Sequence, residues 1–398
     1  MKKIIILGAS MLQVPMIELA KDMGLYVIVV DYNPKAPGMF LADEPLVVST
    51  IDKEAVYIEA VRTKPDYIVT CTSDMPVRTV AYIREKFGMP VDIAYKDSFC
   101  ATDKIHMRKR LQEFDVPIPK FYVVENEGDY INALKNFDDV FIVKPSDNAA
   151  SRGVCLGNVN SDDLLSFYNY SKASSRSGRV LVEEYMLGKE VSVESFTNNG
   201  ITTVISITDK ITTGAPHFVE LGHSEPSELP NCVQKKIIEI TKRAIAAINI
   251  INGPSHTEIC ITSDGPKIVE IAARLGGDFI TSKLVPLTTG VNMVENSLYQ
   301  VLNLPMDLVA KKNKAAAIMF IETKEGIIKS IDGVEKARNI DNVVEIEIYK
   351  VQGEKVGDVK SSNDRIGHII SIGNSPEEAR ISCREAMQLI KVRYEELM

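Results

Sequence analysis

The chain has 398 residues and a formal net charge of -8, with acidic and basic residues interspersed. This balance argues against bulk binding of nucleic acid, while a local basic pocket for a phosphorylated ligand stays compatible with it. Hydrophobic residues at 45% and charged residues at 25% are typical of a globular protein, and the length suggests about two to four domains.

The cysteines and the apolar runs indicate in which cellular compartment the protein is expected. Six cysteines are scattered without paired spacing, which predicts reduced thiols in a cytoplasmic protein. The apolar run at residues 4–7 is too short for a signal peptide, and no stretch approaches the roughly 20 residues that span a bilayer. We therefore expect no membrane partner.

The first hundred residues alternate between strand and helix patterns. Strands are predicted at residues 3–7, 26–30, 45–49, 67–70 and 91–94, and the first helix follows the turn at Gly8 and runs to about Met23. This rhythm predicts a parallel sheet with helices on both faces. Gly8 after strand one and Asp31 after strand two are typical of a dinucleotide-binding fold, but the second and third glycines of that motif are missing. We therefore predict a structural Rossmann-like domain at residues 1–99.

The rest of the chain is divided into two parts by its patterns. Residues 100–310 are predicted to hold helices at 104–114, 231–248 and 292–302, and strands at 141–144, 180–184, 190–197 and 202–208. Residues 311–398 are predicted to form a small C-terminal α+β domain, with strands at 316–322, 343–348 and 367–373 and a helix from Pro376. The predicted fold class is therefore α/β combined with α+β.

Two glutamates flank a hairpin signal near the middle of the chain. Alternating runs on either side of Ser263-Asp264-Gly265 predict two antiparallel strands. A turn centred on Asp264 places Glu258 directly opposite Glu270, where like charges repel unless both face solvent or a cation bridges them. Two carboxylates on a rigid hairpin suit Mg²⁺ together with substrate phosphates.

Alternation continues beyond the second glutamate and extends the predicted polar face. Arg274 falls on the same face as Glu270, just before Gly276-Gly277. A guanidinium beside a metal site suits an anionic substrate or a developing charge. His256 is expected on the same side of its strand as Glu258, either supporting that side chain or serving a purely structural role.

With this hairpin the sequence resembles the ATP-grasp superfamily, in which two glutamates on adjacent strands bind magnesium. The resemblance implies a Rossmann-like N-terminal domain, an ATP-grasp domain with a flexible lid at about residues 118–190, and a small C-terminal domain. The family often has asparagine two residues after the second glutamate, whereas this chain has Ala272. We therefore expect one firmly protein-bound Mg²⁺ rather than two, with Mn²⁺ as an alternative ion.

Lysines and a small-residue loop are expected to contact the phosphates of ATP. Lys144 ends a strand before a stretch of small residues, which let backbone N–H groups approach phosphate. The stretch resembles the family's phosphate-covering loop, with Ser151 and Gly153 as its candidates, although it is poorer in glycine. Lys104, in Asp-Lys-Ile-His-Met-Arg, resembles the family's first ATP-contacting lysine.

The resemblance also implies contacts for the nucleoside. Glu183 and the main chain at Tyr185 and Met186 correspond to the segment that contacts adenine, and Glu190 to the acid that binds the ribose hydroxyls. A Gly-His stretch resembles that of amino-acid ligases, in which histidine approaches the transferred phosphate. His223 is favoured over His217 for this role.

The implied activity is that of an ATP-dependent ligase. A small-molecule carboxylate is activated as an acyl phosphate and joined to an amine, releasing ADP and phosphate, with Arg274, His223 and Lys144 as catalytic candidates. Amino-acid or dipeptide ligation is favoured, with a purine-pathway ligase of the phosphoribosylglycinamide synthetase or carboxyaminoimidazole type, or a carbamoyl-phosphate-synthase-like protein, as alternatives. A catalytically dead ATP-binding protein is the third reading. Both substrates and the oligomeric state stay open, with a homodimer common among relatives.

Overall fold

The N-terminal part is built on a parallel sheet, as the sequence predicts. The computed structural model describes residues 1–215 and 218–395. The strands are β1 (Lys3–Leu7), β2 (Tyr26–Asp31), β3 (Glu44–Val47) and β4 (Tyr67–Thr70), and the helices are α1 (Val14–Asp22), α2 (Lys53–Thr63), α3 (Pro76–Phe87) and α4 (Tyr95–Ser98). The sheet order is β3-β2-β1-β4, and all of its pairs are parallel. Alternate residues of β1 belong to different hydrophobic clusters, Ile4 and Ile6 to one and Ile5 and Leu7 to another, so both faces of the sheet are buried.

Two predicted elements in this region differ from the structure. The strand predicted at residues 91–94 is wrong, because Ile93 makes a single isolated bridge to Ile250 instead of joining the sheet. Helix α1 begins later than predicted, at Val14. The turn before α1 brings Gln13 inward, where its amide donates to Thr72 Oγ1 at 2.7 Å.

A second sheet follows, formed by antiparallel pairs. It is preceded by helix α5 (Lys104–Glu113) and contains β5 (Phe121–Val124), β6 (Val140–Pro145), β7 (Cys155–Asn158) and β8 (Val180–Glu184), with helices α6 (Glu127–Leu134) and α7 (Leu164–Ala173). The order is β5-β8-β6-β7. These strands and helices share their own hydrophobic cluster, which includes Tyr130, Phe141 and Tyr168. We call this unit the lid sheet.

The largest sheet has eight strands and spans the second half of the chain. Its strands are β9 (Lys189–Asn198), β10 (Ile201–Thr212), β11 (Glu220–Glu225), β12 (Gly253–Thr262), β13 (Gly265–Ala272), β14 (Ala315–Ile321), β16 (Val343–Ile348) and β18 (Gly367–Gly373). The helices of this half are α8 (Asn231–Ala247), α9 (Val285–Thr288), α10 (Met293–Val301), α11 (Val334–Ala337) and α12 (Pro376–Leu389). A further small sheet holds β15 (Gly326–Asp332), β17 (Lys355–Val356) and β19 (Lys391–Glu395).

The order of the large sheet is β13-β12-β9-β10-β11-β14-β18-β16. Its last three strands come from the C-terminal part of the chain, so hydrogen bonding crosses the boundary predicted near residue 310. The division into domains at residues 99 and 310 therefore stays a prediction. Within the described parts of the chain, no helix combines the length and apolar character that a membrane span needs.

Candidate active site

A cavity between the lid sheet and the large sheet collects most of the predicted site residues. Nine of them line it: Lys104, Lys144, Ser151, Glu183, Tyr185, Met186, Glu190, Glu258 and Glu270. Gly153, His223 and Arg274 do not line this cavity. His217 lies outside the described residues.

The two glutamates of the hairpin face each other, as predicted, but for a reason that the sequence did not reveal. The turn is centred between Ser263 and Asp264, since Thr262 pairs with Gly265, and this register alone would set Glu258 opposite Val269. A shift between Glu258 and Ile259 corrects the register, so that Glu258 pairs with Glu270. A β-bulge of this kind re-aims side chains near functional sites.

The buried side chain of Arg108, on α5, secures that bulge. Its guanidinium donates to the carbonyl oxygens of Ile268 at 3.2 Å and Val269 at 2.8 Å. The same guanidinium forms two hydrogen bonds to Glu183, at 2.8 and 3.1 Å. Arg108 thus ties the hairpin of the large sheet to strand β8 of the lid sheet.

Glu183 is shared by two cations in the cavity wall. Lys144 Nζ lies 2.7 Å from Glu183 Oε2, and all three charged side chains are almost fully buried. Burial by itself would raise the pKa of Glu183, but Arg108 and Lys144 outweigh it and lower that pKa to about 2. Burial lowers the pKa of Lys144, and the Glu183 carboxylate only partly offsets this.

Lys104 pairs with one of the two hairpin glutamates. Asp103 caps α5 by accepting from the backbone of Ile105 and His106, which makes Lys104 the first helical residue. Lys104 Nζ then reaches Glu270 Oε1 at 2.7 Å and the carbonyl of Asn148 at 2.8 Å. Burial lowers the pKa of Lys104, but the Glu270 carboxylate outweighs it and the pKa is raised.

Lys210 on β10 pairs with the other glutamate. Its ammonium lies 2.9 Å from Glu258, 3.3 Å from Glu220 and 3.5 Å from Glu190, and the side chain is 4% exposed. Burial lowers the pKa of Lys210, but the three carboxylates raise it well above its ordinary value. Sequence reasoning missed Lys210, although a lysine in a strand in which isoleucine and threonine predominate is a usable signal.

A buried histidine supports Glu258 from the same face. His256 Nδ1 lies 2.5 Å from Glu194 Oε1, and its Nε2 lies 3.5 Å from Glu258 Oε1. Burial lowers the pKa of His256, but Glu194 outweighs it and raises the pKa to about 9. Glu194 also accepts from the backbone of Gly276 at 3.3 Å. The expected position of His256 beside Glu258 is therefore confirmed.

The small-residue loop of the lid sheet covers one side of the cavity. Ala150 and Ser151 both have φ of 57°, and Ser151 Oγ donates to the carbonyl of Phe218 at 3.2 Å. Gly153 has φ of 79°, and a Cβ there would clash with Ser174 Cβ. Gly153 therefore allows the loop to pack against Ser174, and Ser151 is the residue that lines the cavity.

The opposite end of the cavity is apolar and aromatic. Tyr185, Met186, Ile142 and Phe218 line it, and the rings of Tyr185 and Phe218 lie 5.9 Å apart. The described residues thus give the cavity a charged end with three lysines and two facing glutamates, and an apolar end. A nucleotide has this same division between phosphates and base.

Arg274 does not line the cavity and is held by an acid from the loop that follows β4. Its Nε donates to Asp74 Oδ1 at 2.7 Å and its Nη1 to the carbonyl of Leu275 at 2.9 Å. Burial lowers the pKa of Arg274, but Asp74 outweighs it and the pKa is raised. Asp74 was not predicted from the sequence, although the loop after a parallel strand is a common place for functional polar residues.

His223 occupies a different environment from the one expected. It pairs across the strands with Lys210, but its Nε2 faces Asp278 Oδ2 at 3.4 Å. Arg365 binds both oxygens of Asp278, at 2.8 and 2.7 Å. Burial raises the pKa of Asp278, but Arg365 and then His223 outweigh it and hold that pKa well below its usual range. A role for His223 at the transferred phosphate stays a prediction.

A second opening, which we call the N-terminal cleft, adjoins the cavity. It encloses about 520 Å³ against about 150 Å³ for the cavity, so it has room for a further substrate. The cleft is lined by the loops that follow β1, β2 and β4, and it shares Lys104 and Glu270 with the cavity. Clefts at the carboxyl ends of parallel strands are common ligand sites.

Comparison with known proteins agrees with this geometry. The model of the ATP-grasp domain matches residues 137–282, which include the lid loop and the facing glutamates. Residues 137–282 of this chain are thus similar to the ATP-grasp domain. The match confirms the predicted fold, the class of ATP-dependent ligases that form carbon–nitrogen bonds, and ATP with Mg²⁺ as cofactors. A second family model, that of L-amino acid ligase C-terminal domain 2, matches residues 318–395.

Individual relatives are distant but cover most of the chain. A formate-dependent phosphoribosylglycinamide formyltransferase of Sulfurisphaera tokodaii is 25% identical over 98% of this chain and 97% of its own. An L-arginine-specific L-amino acid ligase of Bacillus subtilis is 23% identical over 83% of this chain and 81% of its own. The crystal structure of an L-amino acid ligase from Bacillus licheniformis, 20% identical, shares the fold with a TM-score of 0.84 over 100% of this chain and 99% of that one.

Proposed function

We propose that the chain activates a carboxylate with ATP and joins the resulting acyl phosphate to an amine, releasing ADP and phosphate. The observation that carries the proposal is the pair of facing glutamates, Glu258 and Glu270, at the charged end of the cavity. Two carboxylates from adjacent strands beside buried lysines suit a metal-bound triphosphate.

The donor set fits magnesium. Glu258 and Glu270 offer oxygens from a rigid hairpin, which is the ligand type that Mg²⁺ prefers, and Mg²⁺ there would neutralise phosphate charge. Lys104 and Lys210 each balance one of these carboxylates. The ammonium groups of these two lysines therefore lie close to the place where the phosphate oxygens of a metal-bound nucleotide would bind.

The chain's own residues would orient the nucleotide. Lys104 and Lys144 would bind phosphate oxygens, with the loop at Ser151 closing over them, because transfer of a phosphoryl group depends on positioning and charge neutralisation. Tyr185 and Met186 would contact the base through their backbone, and Glu190 the ribose hydroxyls. Glu183 would hold Lys144 in place through their ion pair.

Arg274 would bind the substrate carboxylate and steady the charge that develops during transfer. Asp74 engages its Nε and the Leu275 carbonyl engages its Nη1, which leaves Nη2 for an anion. The cavity and the N-terminal cleft meet at Lys104 and Glu270. The carboxylate would be activated at that junction, and the amine would enter through the cleft.

Among carboxylate–amine pairs we propose two amino acids, which makes the enzyme a dipeptide-forming ligase. Support comes from the match to an L-amino acid ligase C-terminal domain and from the relatives of that kind. A phosphoribosylglycinamide substrate is the second candidate, because relatives named for that substrate align over nearly the whole chain.

Release of phosphate tests the proposal. A screen of amino-acid pairs and purine intermediates with Mg-ATP is expected to give phosphate release that depends on both a carboxylate and an amine. Glu270→Ala is expected to lower the rate by about 100-fold or more, because a metal ligand is lost. Glu239→Ala, on the exposed face of α8, is the matched control and should keep the wild-type rate.

Three outcomes distinguish a dipeptide ligase, a ligase of the purine pathway and a catalytically dead protein. Turnover with phosphoribosylglycinamide and none with amino-acid pairs would overturn the dipeptide assignment. A Glu270→Ala variant with near-full activity would show that the metal site is misassigned. A wild-type enzyme that binds ATP and turns over no pair would favour the catalytically dead protein.

A further inference from the structure

The N-terminal cleft holds an acidic group that the proposed mechanism does not yet use. Attack on an acyl phosphate needs an amine that has lost a proton, because an ammonium has no lone pair. A carboxylate within reach of the attacking nitrogen would bind the ammonium and accept that proton. Four carboxylates among the described residues line the cleft: Asp31, Asp74, Asp147 and Glu270.

Two of the four carboxylates are already engaged by the protein backbone. Asp31 accepts from the N–H groups of Ala9 and Asn33, one on each oxygen, and holds the loops after β1 and β2 together. Asp147 accepts from the N–H groups of Arg176 and Ser177, again one on each oxygen. Their oxygens serve to fix loops in the cleft wall.

The other two carboxylates each keep one oxygen for a ligand. Glu270 uses Oε1 for Lys104 and belongs to the proposed metal pair. Asp74 uses Oδ1 for Arg274, and no hydrogen bond from the described residues reaches its Oδ2. The Asp74 side chain is 18% exposed, so its remaining oxygen is open to the cleft.

We propose that Asp74 binds the attacking ammonium and accepts its proton, a role that rests on the proposed ligase function. An N–H bond of the ammonium breaks and its proton passes to Asp74 Oδ2. The lone pair so freed forms the bond to the acyl carbon as the bond from that carbon to the phosphate oxygen breaks. The departing phosphate takes the second nitrogen proton, and Asp74 returns its proton to solvent.

The position of Asp74 connects both substrates. Its Oδ1 orients Arg274, which would hold the carboxylate, while its Oδ2 would hold the amine. One side chain, at the junction of the cleft and the cavity, would therefore position both reacting groups. Such positioning lowers the entropic barrier of a two-substrate reaction.

Asp74→Asn isolates the second of these roles. Asparagine keeps an amide oxygen that accepts from Arg274 Nε, and it replaces the cleft-facing oxygen by an NH₂ group that repels an ammonium. The probes are the amino-acid pair with the highest rate in the screen above and, separately, hydroxylamine, which is unprotonated near neutral pH and traps an acyl phosphate as a hydroxamate. Asp66→Asn is the matched control, since Asp66 lies just before the opposite end of β4 in a surface ion pair with Lys2.

The expected result is a split between the two nucleophiles. Asp74→Asn should lower amide formation by about 100-fold while hydroxamate formation stays within about threefold of wild type. Equal loss of both products would overturn the proposal and assign Asp74 a purely structural role through Arg274. Amide formation at the wild-type rate would overturn it as well. Absence of hydroxamate in the wild-type enzyme would instead refute the proposed function, which makes the two failures distinguishable.

Discussion

Replacement of Glu183 by glutamine removes the one negative charge that Arg108 and Lys144 share. The pKa of Glu183 is about 2 in the fold against an ordinary 4.5. Since a tenfold change in proton affinity is worth about 1.4 kcal/mol, this difference corresponds to about 3 kcal/mol of stability at neutral pH. The figure agrees with the roughly 3–5 kcal/mol lost when one partner of a buried ion pair is removed.

The sign of the pH dependence follows from the lowered pKa. Stabilisation by Glu183 is fully present above its ordinary pKa of 4.5 and is lost as the pH falls towards about 2. Urea unfolding should therefore show wild type and Glu183→Gln separated by about 3 kcal/mol near neutral pH. The gap should shrink to about 1 kcal/mol near pH 3, because the Glu183 carboxyl is then mostly protonated in the unfolded chain and folding must release that proton.

The neighbouring residue provides the control. Glu184 pairs with Lys267 and its side chain is 37% exposed, so Glu184→Gln should cost less than about 1 kcal/mol. A Glu183→Gln variant that is no more destabilised than Glu184→Gln would contradict this expectation. A gap that stays constant between neutral pH and pH 3 would refute the assignment to a lowered pKa.

Two further substitutions test the surroundings of the facing glutamates. Lys210→Met leaves three carboxylates without their ammonium partner, so added Mg²⁺ without nucleotide should raise the melting temperature of this variant more than that of wild type. An equal rise, or the same extra rise in the control Lys267→Met, would contradict the expectation. Gly276→Ala would put a Cβ 2.5 Å from the buried Glu194 carboxylate and should cost about 1–3 kcal/mol in urea unfolding. The control Gly277→Ala meets nothing closer than 3.7 Å, and equal losses in the two glycine variants would argue against a clash.

Local patterns were enough to predict much of the molecule. Alternating and β-branched runs predicted strands such as β1, β4, β8 and β18 with their bounds as the structure has them, because strand formation follows side-chain periodicity. The segment at residues 91–94 also contains valine and isoleucine but makes only one bridge. Whether a short apolar run joins a sheet depends on whether a strand of that sheet lies beside it in the fold. The residues of the run itself do not contain that information.

The facing glutamates show how far local reasoning extends. Their pairing was predicted from the turn, but the turn alone gives a register that is one residue off. The bulge that corrects it is held by Arg108, more than 150 residues earlier in the chain, through two backbone carbonyls. The sequence predicted the right pair, and tertiary contacts provide the actual reason for it.

The hairpin, the parallel N-terminal sheet and the types of side chain available for a metal and for phosphate follow from local sequence patterns, because each depends on residues close together in the chain. Which charges meet depends instead on the three-dimensional fold. Lys210 has its three carboxylates on three different strands, and Asp74 lies 200 residues from Arg274. The physical reason is that a buried charge must find its counter-charge in space, and chain order places no limit on where that partner comes from.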